Sequence, residues 1–415
     1  MLTLFKNISH LYLYSLFHLC VRKIRGKRTV FRVPEMSALE KTLFKGKLPP
    51  TGLLSSARRG PGGRRRDATP SSWHRYFEES RDVTVNDTDR FRVYTVGRDG
   101  PVLLLLHGGG FSALTWALFS ASVTSMVECR IVAVDLRGHG DTVTSDDTDL
   151  SAETMARDVG AVVEALYTTD PPPIVLIGHS MGGAIAVHTA SRGLVPSLVG
   201  LAVIDVVEGT AVDSLASMQS FLRGRPTHFR SLEHAIEWCL KSNQVRNLES
   251  AKVSVPGQLK NVETGKPATG DVDGYEPSQD QPCATLEDAI VEEDSSFKAP
   301  PPLSQSDNLV ARKYTWRIDL GRTEPYWPGW FRGLSSRFLG CCVPKMLLLA
   351  GVDRLDRDLT VGQMQGKFQM QVLPQCGHAV HEDVPDKVAE VVATFLVRHK
   401  FAEAAASFNR TLPAC

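Results

Sequence analysis

A serine between glycines, histidines in loops and aspartates after apolar runs are the residues of this chain whose spacing could do chemistry. The serine is Ser180, in Gly178-His179-Ser180-Met181-Gly182, a match to G-x-S-x-G. A serine on a sharp strand-to-helix turn has its hydroxyl in the open, ready to attack a carbonyl carbon. Small residues two before and two after let the chain turn without side-chain collision. The amide of Met181, at the start of the following helix, points where an oxyanion would form. Five residues alone are a weak signal, and their context strengthens it. Ile174–Ile177 is a short β-branched and apolar run, bounded by prolines before and glycine after, which is how a buried strand reads. Gly182–Ala186 is small and apolar, suited to a helix packed tightly on a sheet.

A nucleophilic serine needs a base, and the base needs a carboxylate to orient it. His378 is the candidate base: it follows the last apolar strand, lies in the loop CGHAVHED and precedes the final helix, with His381 as its competitor. His107 and His139 precede the serine and read as turn or wall residues. A second oxyanion amide can come from His107–Phe111 (HGGGF), where Gly109 or Gly110 would approach a substrate oxygen closely. Two aspartates compete for the carboxylate. Asp353 follows the run Lys345–Ala350 and Asp205 interrupts the run Leu198–Val207; the residues alone lean slightly to Asp353. Ester hydrolysis by such a constellation requires no metal or organic cofactor.

The elements that must position these groups alternate regularly. Asp82–Val85 and Phe91–Val96 read as a hairpin across Asn86–Asp89. Val102–Leu106, Ile131–Val134, Leu198–Val207, Lys345–Ala350 and Gln369–Leu373 read as buried strands. Ser151 caps a helix through about Tyr167, and Pro385–His399 is a closing amphipathic helix. Buried strands alternating with helices imply an α/β fold, with a mostly parallel sheet covered on both faces. Residues 73–208 and 343–415 carry this rhythm. Residues 209–342 break it and read as a lid insertion over the catalytic edge. The insertion holds an acidic loop at about 260–311 that is too polar to order itself, and three of the six tryptophans (Trp316, Trp327, Trp330). Those tryptophans suit either a docking surface or ordinary core packing.

Composition narrows the function classes. At 415 residues and 42% hydrophobic content the chain can bury a full core, and a net charge of +1 gives no global argument for nucleic acid. The eight scattered cysteines form no C-x-x-C and no zinc spacing, so a reducing compartment, cytoplasmic or nuclear, is expected. No apolar run reaches the length of a membrane span. Residues 1–72 read as a basic arm that cannot order itself. Within it Met36 opens a second plausible beginning, which would make 1–35 an upstream extension.

The runs LLLLHGGG, GHSMGGAIAVHTAS, IDVVEGTA, RNLESA, YTWRIDL with WFRGLS, GVDRLD and QCGHAVHED together resemble the protein phosphatase methylesterases. The resemblance covers about residues 36–415 and is weakest at 48–70 and 260–310. It implies an α/β-hydrolase fold and a serine esterase acting on the methylated C-terminal leucine of the type 2A protein phosphatase catalytic subunit. By the same resemblance the triad acid is the aspartate of IDVVEG, Asp205, with Ser180 and His378 as its partners. Asp353 then becomes a pocket-wall candidate, as does Met364 in the Gln/Met-rich run before the histidine loop. The rival readings are a small-ester hydrolase of the same fold and a non-catalytic protein that binds the phosphatase.

Overall fold

The computed structural model describes residues 67–273, 312–351, 355–406 and 408. The basic arm up to residue 66, the acidic loop from 274 to 311 and Asp353 lie outside the described residues. The strands in chain order are β1 (Glu79–Thr84), β2 (Arg90–Val96), β3 (Val102–Leu106), β4 (Arg130–Val134), β5 (Ile174–His179), β6 (Leu198–Ile204), β7 (His228–Phe229), β8 (Leu259–Asn261), β9 (Tyr314–Trp316), β10 (Lys345–Leu349) and β11 (Gln369–Val372). The helices are α1 (Ala117–Met126), α2 (Ala152–Leu166), α3 (Met181–Ser191), α4 (Glu208–Arg223), α5 (Leu232–Lys241), α6 (Leu248–Ser254), α7 (Trp327–Phe331), α8 (Leu334–Gly340), α9 (Arg357–Met364), α10 (Val380–Asp383) and α11 (Pro385–Arg398).

The continuous apolar strands are buried on both faces, which removes the polar-out alternation of a half-exposed sheet. Along β3, Val102, Leu104 and Leu106 face one core with Met155, Val159 and Ile185 of α2 and α3. Leu103 and Leu105 face the other, with Phe119 and Val123 of α1 and Val388, Val392 and Phe395 of α11. Eight strands form one sheet in the order β1-β2-β4-β3-β5-β6-β10-β11. The hairpin β1–β2 is antiparallel and β2 meets β4 antiparallel, while all the later neighbours run parallel. Parallel pairing brings the C-terminal ends of β3, β5, β6, β10 and β11 to one edge, the edge where open α/β sheets bind ligands.

A smaller antiparallel sheet, β7-β9-β8, lies within the stretch read as an insertion. Its own apolar cluster joins Phe229, Leu232, Ile236, Leu259 and Tyr314 to Phe111 of the HGGGF loop and to Ala379 beside His378. The polar segment read as too weak to order itself from 260 onward departs from that expectation at its start. β8 pairs with β9, and Tyr314 donates its hydroxyl to Asp271 at 2.9 Å. A partner strand satisfies the backbone there, which composition alone cannot show. The arm boundary at 72 also shifts, because Ala68 is buried in the small cluster and the Ser71 amide donates to the Lys252 carbonyl at 3.0 Å. Trp327 and Trp330 belong to the main core, their indole N–H groups donating to the Thr323 hydroxyl and the Leu150 carbonyl, each at 2.7 Å. Core packing, not docking, occupies these two rings.

Candidate active site

β5 ends at His179, and Ser180 sits alone between strand and helix at φ 52°, ψ −121°. That left-handed geometry is strained for any residue with a side chain. It persists because glycines on both sides admit backbone where a methyl group would collide. A Cβ on Gly178 would run into the Gly182 carbonyl, and one on Gly182 into the carbonyls of Leu106 and His107. The turn leaves the Ser180 hydroxyl outward, at the head of α3. The first-turn amides of a helix have no carbonyl four residues back, so the Met181 N–H is available to a ligand.

β6 ends one residue before Asp205, which holds φ 51°. Its side chain is buried, and its Oδ1 accepts from the Ala350 amide just beyond β10 at 2.9 Å. Its Oδ2 lies 2.8 Å from His378 Nδ1. His378 Nε2 lies 2.9 Å from Ser180 Oγ. Three residues from three separate strand ends thus stand in one hydrogen-bonded line. The carboxylate accepts only, so His378 carries its hydrogen on Nδ1 and presents a bare Nε2 to the serine hydroxyl. A neutral imidazole in that tautomer can take the hydroxyl proton as the oxygen attacks a carbonyl. The backbone before His378 is fixed as well: Asp383 Oδ2 accepts from the Gly377 amide at 2.6 Å.

The glycine loop follows β3. Gly110 holds φ +78°, and its amide donates to His139 Nε2 at 3.0 Å, while His139 Nδ1 donates to the Arg137 carbonyl at 2.8 Å. Burial pushes the His139 imidazole down to about 4, so the ring is neutral and Nε2 stays an acceptor. The Gly110 N–H is therefore already committed, which corrects its candidacy as an oxyanion donor. Gly109 is the remaining candidate, its amide having no hydrogen-bond partner among the described residues. The Leu320 side chain lies over this loop, 3.6 Å from where a Gly109 Cβ would stand, with Met181 Sδ at the same distance. Leu320 and the contact made by His179 escaped the sequence reading, whereas His139, read as a turn or wall residue, does line this loop. His139 was visible at a strand end but had no partner in sequence, and Leu320 carries no polar signal at all.

His381, the competing base, is fully buried, and its Nε2 meets Thr115 Oγ1 at 2.9 Å. Burial pushes it down to about 3. Its ring lies tilted beside that of His179 with centroids 4.5 Å apart, and the hydroxyl of Ser180 is paired instead with His378. Met364 ends α9 with 82% of its surface exposed, and a side chain that open lines no enclosed pocket. Among the described residues no helix is long and apolar enough to cross a membrane.

The model of the alpha/beta hydrolase family matches residues 103–391. Protein phosphatase methylesterase 1 of Mus musculus is 59% identical over 399 residues, covering 92% of this chain and 100% of its own. That of Homo sapiens has the same identity and coverage. That of Schizosaccharomyces pombe is 36% identical over 340 residues, covering 80% of this chain and 86% of its own. Among solved structures, E-2-(acetamidomethylene)succinate hydrolase superposes with a TM-score of 0.57 at 14% identity, over 77% of this chain and 99% of its own. A Mycobacterium tuberculosis esterase superposes at 0.51 and 19% identity, over 77% and 92%. These two likenesses speak to the fold alone. With more than half its length matched to the family model, and relatives this similar over nearly the whole chain, the protein belongs to the alpha/beta hydrolases and, within them, to the protein phosphatase methylesterases.

Proposed function

We propose that this protein hydrolyses the methyl ester on the C-terminal leucine of the protein phosphatase 2A catalytic subunit, with Ser180, His378 and Asp205 as its catalytic triad. The observation that carries the reading is the unbroken line from Asp205 Oδ2 through His378 to Ser180 Oγ, at 2.8 and 2.9 Å. His378 takes the Ser180 proton as Oγ attacks the leucyl carbonyl. The amides of Met181 and Gly109 receive the oxyanion, each such donor contributing about 3 kcal/mol of barrier lowering. His378 returns the proton to the leaving methoxide, so methanol departs and the leucyl acyl group stays on Ser180. Water, deprotonated by the same imidazole, then attacks the acyl-enzyme and releases the free carboxylate. Asp205 holds the imidazole tautomer and stabilises the imidazolium. The lid, whose apolar cluster touches both the glycine loop and the residue after His378, is the surface that receives the phosphatase tail.

The test is methyl release from methyl-esterified phosphatase catalytic subunit, comparing wild type with Ser180→Ala. Release by wild type and none by the variant, with complex formation retained in both, is the expected result. No release by either, with binding retained, overturns the esterase reading in favour of a binding protein.

A further inference from the structure

His179 precedes the serine, is fully buried, and takes no part in the line from Asp205 to Ser180. Its Nε2 lies 2.8 Å from the backbone carbonyl oxygen of His378. A carbonyl only accepts, so Nε2 carries the hydrogen and donates. Burial, reinforced by the neighbouring His381 and His378, pushes the His179 imidazole well below its ordinary range, so the ring is neutral and Nδ1 is bare. Nδ1 has no hydrogen-bond partner among the described residues and faces the backbone of Gly108, where an added Cβ would stand 2.9 Å from it. The ring is fixed from the remaining sides as well: its centroid is 4.8 Å from that of His378, 4.5 Å from that of His381 and 5.8 Å from that of Phe111, which meets it edge-on.

His378 needs such a hold. Its side chain is 48% exposed and its backbone lies in a loop, so packing alone does not set the direction of its imidazole. Two bonds grip the main chain on either side of its Cα: Asp383 accepts from the Gly377 amide, and His179 donates to the His378 carbonyl. The second of these comes from the same strand end that carries the nucleophile. We propose that His179 is a positioning residue that ties the base loop to the serine strand and so fixes the reach from His378 Nε2 to Ser180 Oγ. Base and nucleophile are then held as one unit by β5. An error of about 1 Å in that reach can cost 100-fold in rate, which sets the size of the effect. This inference rests on the triad reading above.

The test compares His179→Phe, which fills the ring's space without a donor, with His179→Gln, whose side-chain N–H₂ reaches the position of Nε2. Two readouts are taken on each: kcat and KM for methyl release, and the rate of Ser180 labelling by a fluorophosphonate, both normalised to the folded fraction from urea unfolding. The Phe variant is expected to lose about 10- to 100-fold in kcat and in labelling rate, with KM within about twofold of wild type. The Gln variant is expected to recover to within about threefold of wild type. A Phe variant equal to wild type, or a Gln variant as impaired as Phe, or a loss that disappears on normalisation, overturns the proposal and leaves His179 a packing residue. If wild type labels but releases no methyl, the substrate assignment falls and the labelling ratios still decide the role of His179. If wild type does not label at all, the triad reading and this proposal fall together.

Discussion

At the scale of single residues, the site works by tautomer control. Every histidine around it has at least one ring nitrogen held by a hydrogen-bond partner, which sets its tautomer. His107 accepts the Leu136 amide on Nε2 and donates to the Gly108 carbonyl from Nδ1; His139 accepts the Gly110 amide on Nε2. Both shape the loop that follows β3. His378 is the member of this set whose free nitrogen faces a hydroxyl, and Asp205 decides that. Asp205→Asn replaces an acceptor with an amide that can donate, which favours the tautomer with its hydrogen on Nε2 and removes the base. A kcat for methyl release lower by about 10⁴-fold is expected, with a urea midpoint close to wild type, since the amide still fills the buried space. A variant within tenfold of wild type would mean that another carboxylate orients His378.

At the scale of elements, the G-x-S-x-G turn is a contact between three of them. The backbone of Gly182 lies against the last carbonyls of β3, so helix α3 approaches the sheet as closely as the backbone allows. This explains why Met181 is followed by Gly, Gly and Ala before the next large side chain. Gly182→Ala must push α3 away from β3, because the obstructing atoms are main chain and cannot rotate aside. The expected cost is about 1–3 kcal/mol, read as a lower urea midpoint. Activity should fall in the fraction that remains folded, since α3 carries the Met181 amide. The sequence made this turn legible because the residues that permit it, Gly178 and Gly182, stand two positions either side of Ser180. α6, by contrast, went unread, although Asn247 Oδ1 caps it by accepting from the Glu249 amide at 3.0 Å. It is short, and its stability comes from distant partners: Ser250 and Ser254 donate to Glu382 at 2.7 and 2.6 Å.

At the scale of the whole molecule, Glu382 joins three parts of the chain. It accepts from Thr115 after the glycine loop, from Ser250 and Ser254 on α6, and it sits on α10, four residues after His378. Burial pushes its carboxyl from an ordinary 4.5 up to about 7, against the pull of the three hydroxyls. The folded protein thus holds this proton more tightly than the unfolded chain does. The contribution to stability is fully present below about 4.5 and is lost as pH rises through 7. The buried His139 and His381, pushed down to about 4 and 3, act in the opposite sense and lose stability as pH falls below 6.5. Comparing wild type with Glu382→Gln isolates the carboxyl from them. Across pH 5 to 8 the urea midpoint of the Gln variant relative to wild type should rise with pH. A difference that does not change with pH would show that Glu382 ionises normally in the folded protein.

The sequence by itself determined the strands of the eight-stranded sheet, their mostly parallel sense and the position of the serine, because these depend on short-range sterics and on periodicity; the short strands β7, β8 and β9 went unread. Val102–Leu106 is apolar on both faces and can only be a covered strand, and β3 spans those residues. The end of β6 fell three residues short of the apolar run, at Ile204, because Asp205 turns the backbone to φ 51° and leaves the ladder. Residue type and spacing left the carboxylate partner open; the resemblance to the methylesterases implied Asp205, and the folded backbone brings its Oδ2 to 2.8 Å from His378. Asp205 and Asp353 both follow apolar runs, and nothing local separates them. Asp205 stands at the end of β6, beside the serine strand, and its carboxylate reaches across 173 positions of sequence to His378. Likewise the choice between the amides of Gly109 and Gly110 was open until His139, on a different strand end, took one of them. Such choices are made by strand order and by hydrogen bonds between segments far apart in the chain. Residue type and spacing name the candidates for those contacts, and only the folded backbone brings one of them within 3 Å.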